Sequence, residues 1–290
     1  MGIIEDNREK DRILKDLEKS GYPLEIKATL ILESNGWSVL NQEGYLDIET
    51  GKWRTINILA HKNFEIPDSL AYERLHLSLV VECKKSDEPW IFFTRDKKGL
   101  RTFHPIAAWG LIKVESKPLL HPLQFEKVTD YFHYYFPEFE KIGIIPYEPF
   151  IKKEKGEGKS IIFEAKNQVL KSLLYEREQS RRFCAMEEAR EKVRRNLKTT
   201  NLLIILYPLV IFDGHLYELE YIEGKPKLTL SKYIQYLTSF GFPRPEEFVI
   251  DIVEIGFLKE YLRMLDEGVK KLAKKIASLR FPSKPPIEHP

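Results

Sequence analysis

The sequence predicts an α/β protein in which a mixed central β-sheet is flanked by helices. Three observations predict this class. Apolar residues recur at helical spacing near both ends of the chain, at 23–37 and 257–279. Between them, the apolar runs at 75–85, 202–212 and 247–255 are typical of buried strands. Helices and strands alternate along the chain, which favours an α/β fold over all-α and all-β folds.

Two helices are predicted before the first strand. A charge-rich helix covers 3–20. The segment 23–37 then carries its apolar residues on one helical face and ends at Asn35-Gly36, a typical helix C-terminus. The residues of this face are Leu24, Ala28, Ile31 and Leu32.

Three strands follow these helices. Short strands are predicted at 37–40 and 44–49, and a two-residue turn at Thr50-Gly51 leads into a strand over 52–60. The run at 75–85 is apolar on both faces, so we expect this strand in the centre of the sheet.

The remainder of the chain adds further helices and strands. Residues 125–139 carry apolar side chains at helical spacing, and 161–195 predict one long helix or a pair of helices. The strand at 202–212 is predicted to form a hairpin with 215–224 through a turn at Asp213-Gly214.

These elements divide the chain into four segments. Residues 1–95 are predicted to form the N-terminal half of the core, and 96–159 an inserted region with helical and aromatic character. Residues 160–280 form the C-terminal half of the core with its terminal helix, and 281–290 a loose tail.

Composition narrows the possible functions. The 46 basic and 44 acidic residues leave a net charge of +2, so binding to nucleic acid would depend on local patches rather than on a global field. The two cysteines, Cys83 and Cys184, argue against a disulfide scaffold and favour a reducing compartment. No signal-peptide core is present, and the longest apolar run is too short to span a bilayer. We expect a soluble cytoplasmic protein with no membrane partner.

A candidate site lies at the end of the strand at 75–85. Side chains alternate along a strand, so Glu82 and Lys84 point to one face and Cys83 to the other. Glu-x-Lys occurs six times in the chain, but only the copies at Glu82 and Glu115 are strand-like, and Glu82 ends the more strongly predicted strand. The pair is either a structural ion pair or half of a metal-dependent phosphodiesterase site.

With its neighbours, this strand resembles the PD-(D/E)XK nucleases, and most closely the branch that includes Mrr-type enzymes and Holliday-junction resolvases. The resemblance rests on a helix with Glu25 ahead of GWSV, on the hairpin YLDIETGKWRTINILA, and on LVVECKKS followed by PWIFF. It covers roughly residues 20–95, with weaker agreement around Gln168 and at 202–212. It implies a restriction-endonuclease-like fold and DNA hydrolysis that depends on Mg²⁺ or Mn²⁺.

The resemblance assigns roles to the site residues. Glu82 is a metal ligand, and Lys84 is the cation that orients the attacking water. The family's other ligand is the Asp of an Arg-x-Ile-Asp-Ile strand, but this chain has RTINI, so Asn57 takes its place. Loss of one unit charge near 4 Å removes roughly 4 kcal/mol of gross attraction at an effective dielectric near 20. We therefore expect weak Mg²⁺ binding.

Asp47 is the alternative metal ligand. With a two-residue turn, Asp47 pairs with Arg54, forms a cross-strand salt bridge with it, and points away from Asn57. A β-bulge that changes the parity of the strand would instead bring Asp47 to the site.

Other residues have both a functional and a structural interpretation. Glu25 is a carboxylate on the metal side of the site or an ordinary exposed helix acid. Gln168 and Lys171 line the site from a neighbouring helix or form a solvated face. Lys84 and Lys85 begin a basic patch for DNA that continues with Arg95, Lys97 and Lys98.

Two further groups of side chains bear on the function. The aromatic cluster within 131–136 would stack bases or pack in the core. The histidines, among them His61 and His76, show no metal-ligand spacing in the sequence.

These observations predict a nucleic-acid-associated protein of nuclease type. DNA is its expected partner, and Mg²⁺ or Mn²⁺ its cofactor if it is active. The alternative is a degenerate nuclease fold that binds DNA, a protein partner or a second copy of itself without cutting. In a third interpretation the fold is a scaffold in a larger assembly.

Overall fold

A computed structural model describes residues 7–67, 74–97, 112–113, 141–149, 160–193, 202–241 and 245–278. Within these residues, the chain forms a mixed sheet of eleven strands and four helices. The predicted α/β class, with a mixed sheet flanked by helices, is confirmed.

The observed bounds are close to the predicted ones for the elements at 23–37, 75–85, 202–212, 247–255 and 257–279. The sequence does not predict the strands at 90–96, 112–113, 141–147, 225–231 and 233–240. The helices are α1 (Asn7–Lys19), α2 (Tyr22–Ser34), α3 (Ile161–Val193) and α4 (Leu258–Ala277). The strands are β1 (Ser38–Asp47), β2 (Lys52–Glu65), β3 (Arg74–Lys85), β4 (Trp90–Asp96), β5 (Ile112–Lys113), β6 (Lys141–Tyr147), β7 (Leu202–Asp213), β8 (Leu216–Ile222), β9 (Lys225–Ser231), β10 (Tyr233–Phe240) and β11 (Glu246–Glu254).

The strands follow the order β1-β2-β3-β7-β11-β10-β6-β4-β8-β9, and β5 pairs with β7. β3, β7 and β11 are parallel to one another, whereas the antiparallel pairs β1–β2 and β8–β9 form the two ends. Every residue from Leu77 to Val81 is buried, so the prediction that β3 is a central strand is confirmed.

Helices cover both faces of the sheet on the side of β3. Leu24, Ala28 and Leu32 of α2 share one core with the buried face of α4, and Ala165, Val169 and Leu173 of α3 belong to the core on the opposite face. Burial of each large aliphatic side chain contributes about 1.5–3 kcal/mol. The helix positions thus follow from their apolar faces, and α2 and α3 approach β3 from opposite sides.

The turn of the β1–β2 hairpin differs from the prediction. β1 is continuous and ends at Asp47, and β2 begins at Lys52, so the turn between the two strands has four residues rather than two. The Asp47 carboxylate accepts hydrogen bonds from the backbone N–H groups of Glu49 and Thr50, which stabilise the wider turn. The register moves by two residues, and Asp47 lies opposite Lys52 instead of Arg54.

The alternation of β2 breaks beside Asn57, because Ile56 lies in the core on the α3 face and Ile58 in the core on the α2 face. Asp47 therefore faces α3, the helix that also contacts Lys84.

The predicted hairpin between β7 and β8 is wrong. β8 runs parallel to β4 and forms its hairpin with β9. At Gly214 a Cβ would lie 2.5 Å from the carbonyl oxygen of Ser86, so only a glycine lets the chain pass this close to the end of β3. Glu223 and Gly224 both have positive φ, 52° and 77°, as a tight hairpin turn between β8 and β9 requires.

The segment 96–159 contributes strands to the same sheet. β5 pairs with β7, and β6 lies between β10 and β4. The helix predicted at 125–139, the aromatic cluster at 131–136 and the tail lie outside the described residues. α3 is one helix rather than two. Of the helices that the structure describes, none is long and apolar enough to cross a membrane.

Strand pairing stacks two histidines that are distant in sequence. The rings of His61 and His76 have centroids 5.2 Å apart, and their Nδ1 atoms hydrogen-bond Ser78 and Asn63. Burial lowers the pKa of both histidines, that of His76 to about 4 with a further contribution from the charge of His61.

Acid should therefore destabilise the protein through this pair. The unfolded imidazole binds a proton below pH about 6.5, whereas folded His76 does so only near pH 4, so stability is lost as the pH falls through this window. We expect His76→Gln to reduce the loss in the free energy of unfolding between pH 7.5 and 5 by about 1 kcal/mol, after allowance for solvent screening. Urea unfolding at both pH values measures this, with His215→Gln as an exposed control. An equal loss in wild type and His76→Gln would contradict it.

Candidate functional site

The site forms where β2 and β3 separate. Their backbone pairing ends at Ile58 and Val81. At the next position of β2, a side chain replaces this backbone pairing. The Oδ1 of Asn57 accepts a 2.7 Å hydrogen bond from the backbone N–H of Cys83 on β3. The prediction that β1, β2 and β3 are neighbours with Asn57 and the Glu82–Lys84 strand end at one place is confirmed.

Glu82 and Lys84 form an ion pair at the end of β3. The Lys84 Nζ lies 3.0 Å from the Glu82 Oε1 and donates a 2.7 Å hydrogen bond to Gln168 on α3. Glu82 is only 3% exposed. Burial raises its pKa to about 7, and the opposing effect of Lys84 does not outweigh burial. Glu82 is therefore only partly ionised at neutral pH.

A second carboxylate enters the site from α2. Glu25 Oε1 accepts a 2.7 Å hydrogen bond from the Asn57 amide, and its other oxygen accepts one from Gln42 on β1. Burial raises the pKa of Glu25, whereas these two amides and the charge of Lys84 lower it. The charge of Glu25 also raises the pKa of Glu82, so the two carboxylates and Lys84 share one electrostatic environment. The interpretation of Glu25 as an ordinary exposed helix acid is wrong.

The orientation of the Asn57 amide is fixed by its partners. Its NH₂ group faces the Glu25 carboxylate, which only accepts, and its carbonyl oxygen faces the Cys83 N–H, which only donates. In the reverse orientation, the amide oxygen would face the Glu25 carboxylate, and the NH₂ group would face the Cys83 N–H. Asn57 therefore presents its oxygen to the backbone and a donor to the second carboxylate.

Asp47 has a different environment from Asn57. It is 1% exposed, and it binds Arg54 and Lys171 at 3.0 Å each. Burial opposes its ionisation, but the hydrogen bonds from Lys171 and Thr50 outweigh burial and lower its pKa to about 2. The predicted salt bridge with Arg54 is confirmed. Asp47 is the anion of a local ion-pair network.

The structure separates the two residues of α3 that the sequence groups together. Gln168 contacts Lys84, whereas Lys171 contacts Asp47 and Glu49. Both have defined partners, so the interpretation of these residues as a solvated face is wrong.

The predicted basic patch does not continue past β3. Lys85 is exposed beside the site. Lys97 instead extends three strands away from β3, where its ammonium binds Gln235 of β10. Gln235 binds Asp251, a fully buried carboxylate that also accepts hydrogen bonds from Tyr207 and Tyr261. Arg95 is exposed on β4, and Lys98 lies outside the described residues.

Sequence reasoning missed two residues beside the site. Gln42 lies opposite Asn57 in the hairpin, between the pairs Asn41–Ile58 and Glu43–Ile56, and has a positive φ of 55°. Tyr45 is 1% exposed, and its hydroxyl has no hydrogen-bond partner among the described residues. Burial and the charge of Glu82 raise its pKa to about 12. No local pattern distinguishes either residue from an ordinary strand residue.

The donor set does not fit a tightly held Mg²⁺. This ion is held best by ionised carboxylates. Asn57 carries no charge and its carbonyl oxygen already accepts a hydrogen bond, while Glu82 is partly protonated and paired with Lys84. In the part of the chain that the structure describes, no group of three or more His, Cys, Asp or Glu is arranged to hold a metal ion.

Comparisons with known proteins add no assignment. No protein-family model, curated protein or solved structure matches this chain.

Proposed function

We propose that this chain is a nucleic-acid-associated protein with a restriction-endonuclease-like fold of PD-(D/E)XK type, and that it contacts DNA without efficient cleavage. One observation carries the proposal. Five side chains that the sequence resemblance groups together, from α2, β2, β3 and α3, form two contacting groups that the backbone N–H of Cys83 joins through Asn57. They are Glu25, Asn57, Glu82, Lys84 and Gln168.

The chemistry of this cluster supports contact with a phosphodiester rather than its hydrolysis. Lys84 supplies a cation beside a carboxylate whose pKa burial raises to about 7, and Lys85 adds an exposed cation one residue further on. Such groups attract a phosphate backbone through local charge. In the nuclease resemblance, the position of Asn57 belongs to the second ionised ligand, and in this chain it carries a neutral amide.

Mg²⁺-dependent DNA hydrolysis is the second candidate. The Glu82–Lys84 geometry favours it, because a carboxylate and a lysine 3.0 Å apart match the pair that the nuclease resemblance implies. It would require Asn57 or Asp47 as the remaining ligand. Asn57 is neutral, and Asp47 is bound by Arg54 and Lys171. The non-cleaving function is therefore the better supported of the two.

DNA affinity should depend on salt and on the lysines at the end of β3. Wild type should bind a DNA duplex at 50 mM salt, and the double variant Lys84→Ala plus Lys85→Ala should bind about tenfold more weakly. Loss of two phosphate contacts should reduce the slope of log K against log[salt] by roughly 1.8. Fluorescence anisotropy over a series of salt concentrations measures both quantities.

The matched control removes the same charge elsewhere. Lys270 and Lys271 are exposed on α4, and Lys270→Ala plus Lys271→Ala should leave the slope unchanged. An equal effect of the two double variants would show unspecific attraction. Absence of DNA binding by wild type even at low salt would overturn the proposal and favour the scaffold interpretation.

A further inference from the structure

The end of the sheet opposite the candidate site lacks a helical layer in the described part of the chain. The helices α2, α3 and α4 pack on β1, β2, β3, β7 and β11, with a small contact of α3 to β5, and α1 packs on α2. The strands β6, β4, β8 and β9 lie beyond them and complete the sheet. Helices normally cover such a sheet because its apolar face must be buried.

Strand register aligns apolar side chains across all four strands. Residues directly opposite each other in neighbouring strands point to the same face. One row is Tyr147, Ile91, Tyr217 and Leu230, and the next is Ile145, Phe93, Leu219 and Leu228. Tyr221 extends this surface, because its ring stacks with that of Phe93 at 6.4 Å and 9°. We call these nine residues the apolar sheet face.

Beyond the buried Leu216, the reverse side of the β8–β9 hairpin is polar. Glu218 accepts a 2.9 Å hydrogen bond from Ser231, and Glu220 pairs with Lys141 at 2.7 Å. Thr229 is also exposed on this side. The hairpin therefore alternates polar and apolar residues, as does a sheet that has one solvated face and one buried face. In this hairpin, the apolar face is also exposed.

The apolar sheet face is large for an exposed surface. Five of its side chains are more than half exposed: Ile145 55%, Tyr147 52%, Tyr221 64%, Leu228 52% and Leu230 61%. With the four partly buried members, the face exposes on the order of 700 Å², since a large side chain presents roughly 150–250 Å². A stable dimer buries about 800 Å² per partner, so this face has the size of one side of a dimer interface.

We propose that a second copy of this chain covers the apolar sheet face, so that the protein is a dimer with its two sheets packed face to face. The two rows contain no charged side chain, and a twofold contact between identical faces therefore buries no unpaired charge. Sheets commonly pack in this way at about 10 Å separation. Association through the edge of the sheet is disfavoured, because β9 carries Lys225, Pro226 and Lys227 there.

The test compares two neighbouring residues of β9 on opposite faces. Leu230→Glu places a charge in the proposed interface, and Thr229→Glu places the same charge on the polar side. Sedimentation equilibrium of the full chain should show a wild-type dimer of 34.2 kDa subunits. Leu230→Glu should weaken dimerisation at least a hundredfold, whereas Thr229→Glu should change it less than threefold. Both variants should keep the wild-type circular dichroism spectrum, since both residues are exposed.

Several outcomes would overturn the proposal. One is a wild-type monomer at about 100 μM, a concentration at which an interface of this size should be filled. Another is equal weakening by the two substitutions, which would place the interface elsewhere. A monomeric wild type with a Tm that falls on Leu230→Glu alone would show that the chain covers this face itself.

Discussion

Replacing Asn57 with Asp should create a Mn²⁺ site much stronger than any in the wild-type protein. The Asn57 nitrogen lies 2.7 Å from the Glu25 Oε1. In the variant, an oxygen replaces this donor, and two carboxylates then face each other across a gap close to the roughly 3.0 Å between neighbouring ligands of an octahedral cation. The repulsion between these carboxylates is relieved when a cation binds both. We expect Mn²⁺ affinity to rise by about a hundredfold, a part of the roughly 4 kcal/mol gross gain per unit charge.

Isothermal titration calorimetry with Mn²⁺ measures this change, and a plasmid-nicking assay shows whether cleavage follows. Glu82→Ala in the Asn57→Asp background should abolish any cleavage. The control is Asn63→Asp, the same substitution on the same strand beside His76, which should not alter Mn²⁺ affinity. Strong Mn²⁺ binding and nicking by wild type would contradict the proposed function. Nicking that survives Glu82→Ala would place the active site elsewhere.

Removal of the Asp47 carboxylate should destabilise the protein without acting on metal binding. Asp47→Ala leaves Lys171, whose side chain is 17% exposed, without its buried partner and removes the acceptor that closes the β1–β2 turn. Loss of one member of a buried pair costs about 3–5 kcal/mol, and the 46% exposure of Arg54 reduces this to about 2–4 kcal/mol. Urea unfolding at pH 7 measures the loss. Glu49→Ala, which removes an exposed partner of the same lysine, should cost less than 1 kcal/mol.

The pH dependence of Asp47→Ala provides an independent check. The folded pKa of Asp47, about 2, is below its value of 3.8 in the unfolded chain, so its contribution is complete above pH 4 and is lost as the pH falls towards 2. The difference in unfolding free energy between wild type and Asp47→Ala should shrink over this window. A variant of native stability that loses Mn²⁺ binding would show that Asp47 is a metal ligand.

The N-terminal third of the fold could be predicted from local patterns. The apolar face of 23–37 places Glu25 towards the sheet, and the alternation in 75–85 places Glu82 beside Lys84. Local periodicity predicts these faces in α2 and β3. It does not predict the break in the alternation of β2, where Ile56 and Ile58 lie in cores on opposite faces of the sheet.

The remainder depended on contacts between distant residues. Asp47 selects the wider turn through hydrogen bonds that no two-residue turn rule contains. β8 follows Gly214, which passes close to Ser86, more than a hundred residues away in sequence, and it pairs with β4 and β9. Gln42, whose backbone has a positive φ, donates a hydrogen bond to Glu25 on a different element. Such interactions are set by the tertiary structure, and a single sequence contains no periodic signal for them.

The hydrogen bond from Cys83 to Asn57 gives position 57 a second constraint, which matters to anyone who redesigns this protein. The side chain there must be short, planar and able to accept from the backbone, since it completes the seam between β2 and β3. Alanine would remove the acceptor and leave a part-buried N–H unpaired, at a cost of about 1–3 kcal/mol. Only Asn and Asp combine a short, planar side chain with an oxygen that accepts from the Cys83 N–H. The stability of this seam and the expected Mn²⁺ affinity of the Asn57→Asp variant therefore depend on the same side chain, and a mutational library at this position has two productive members.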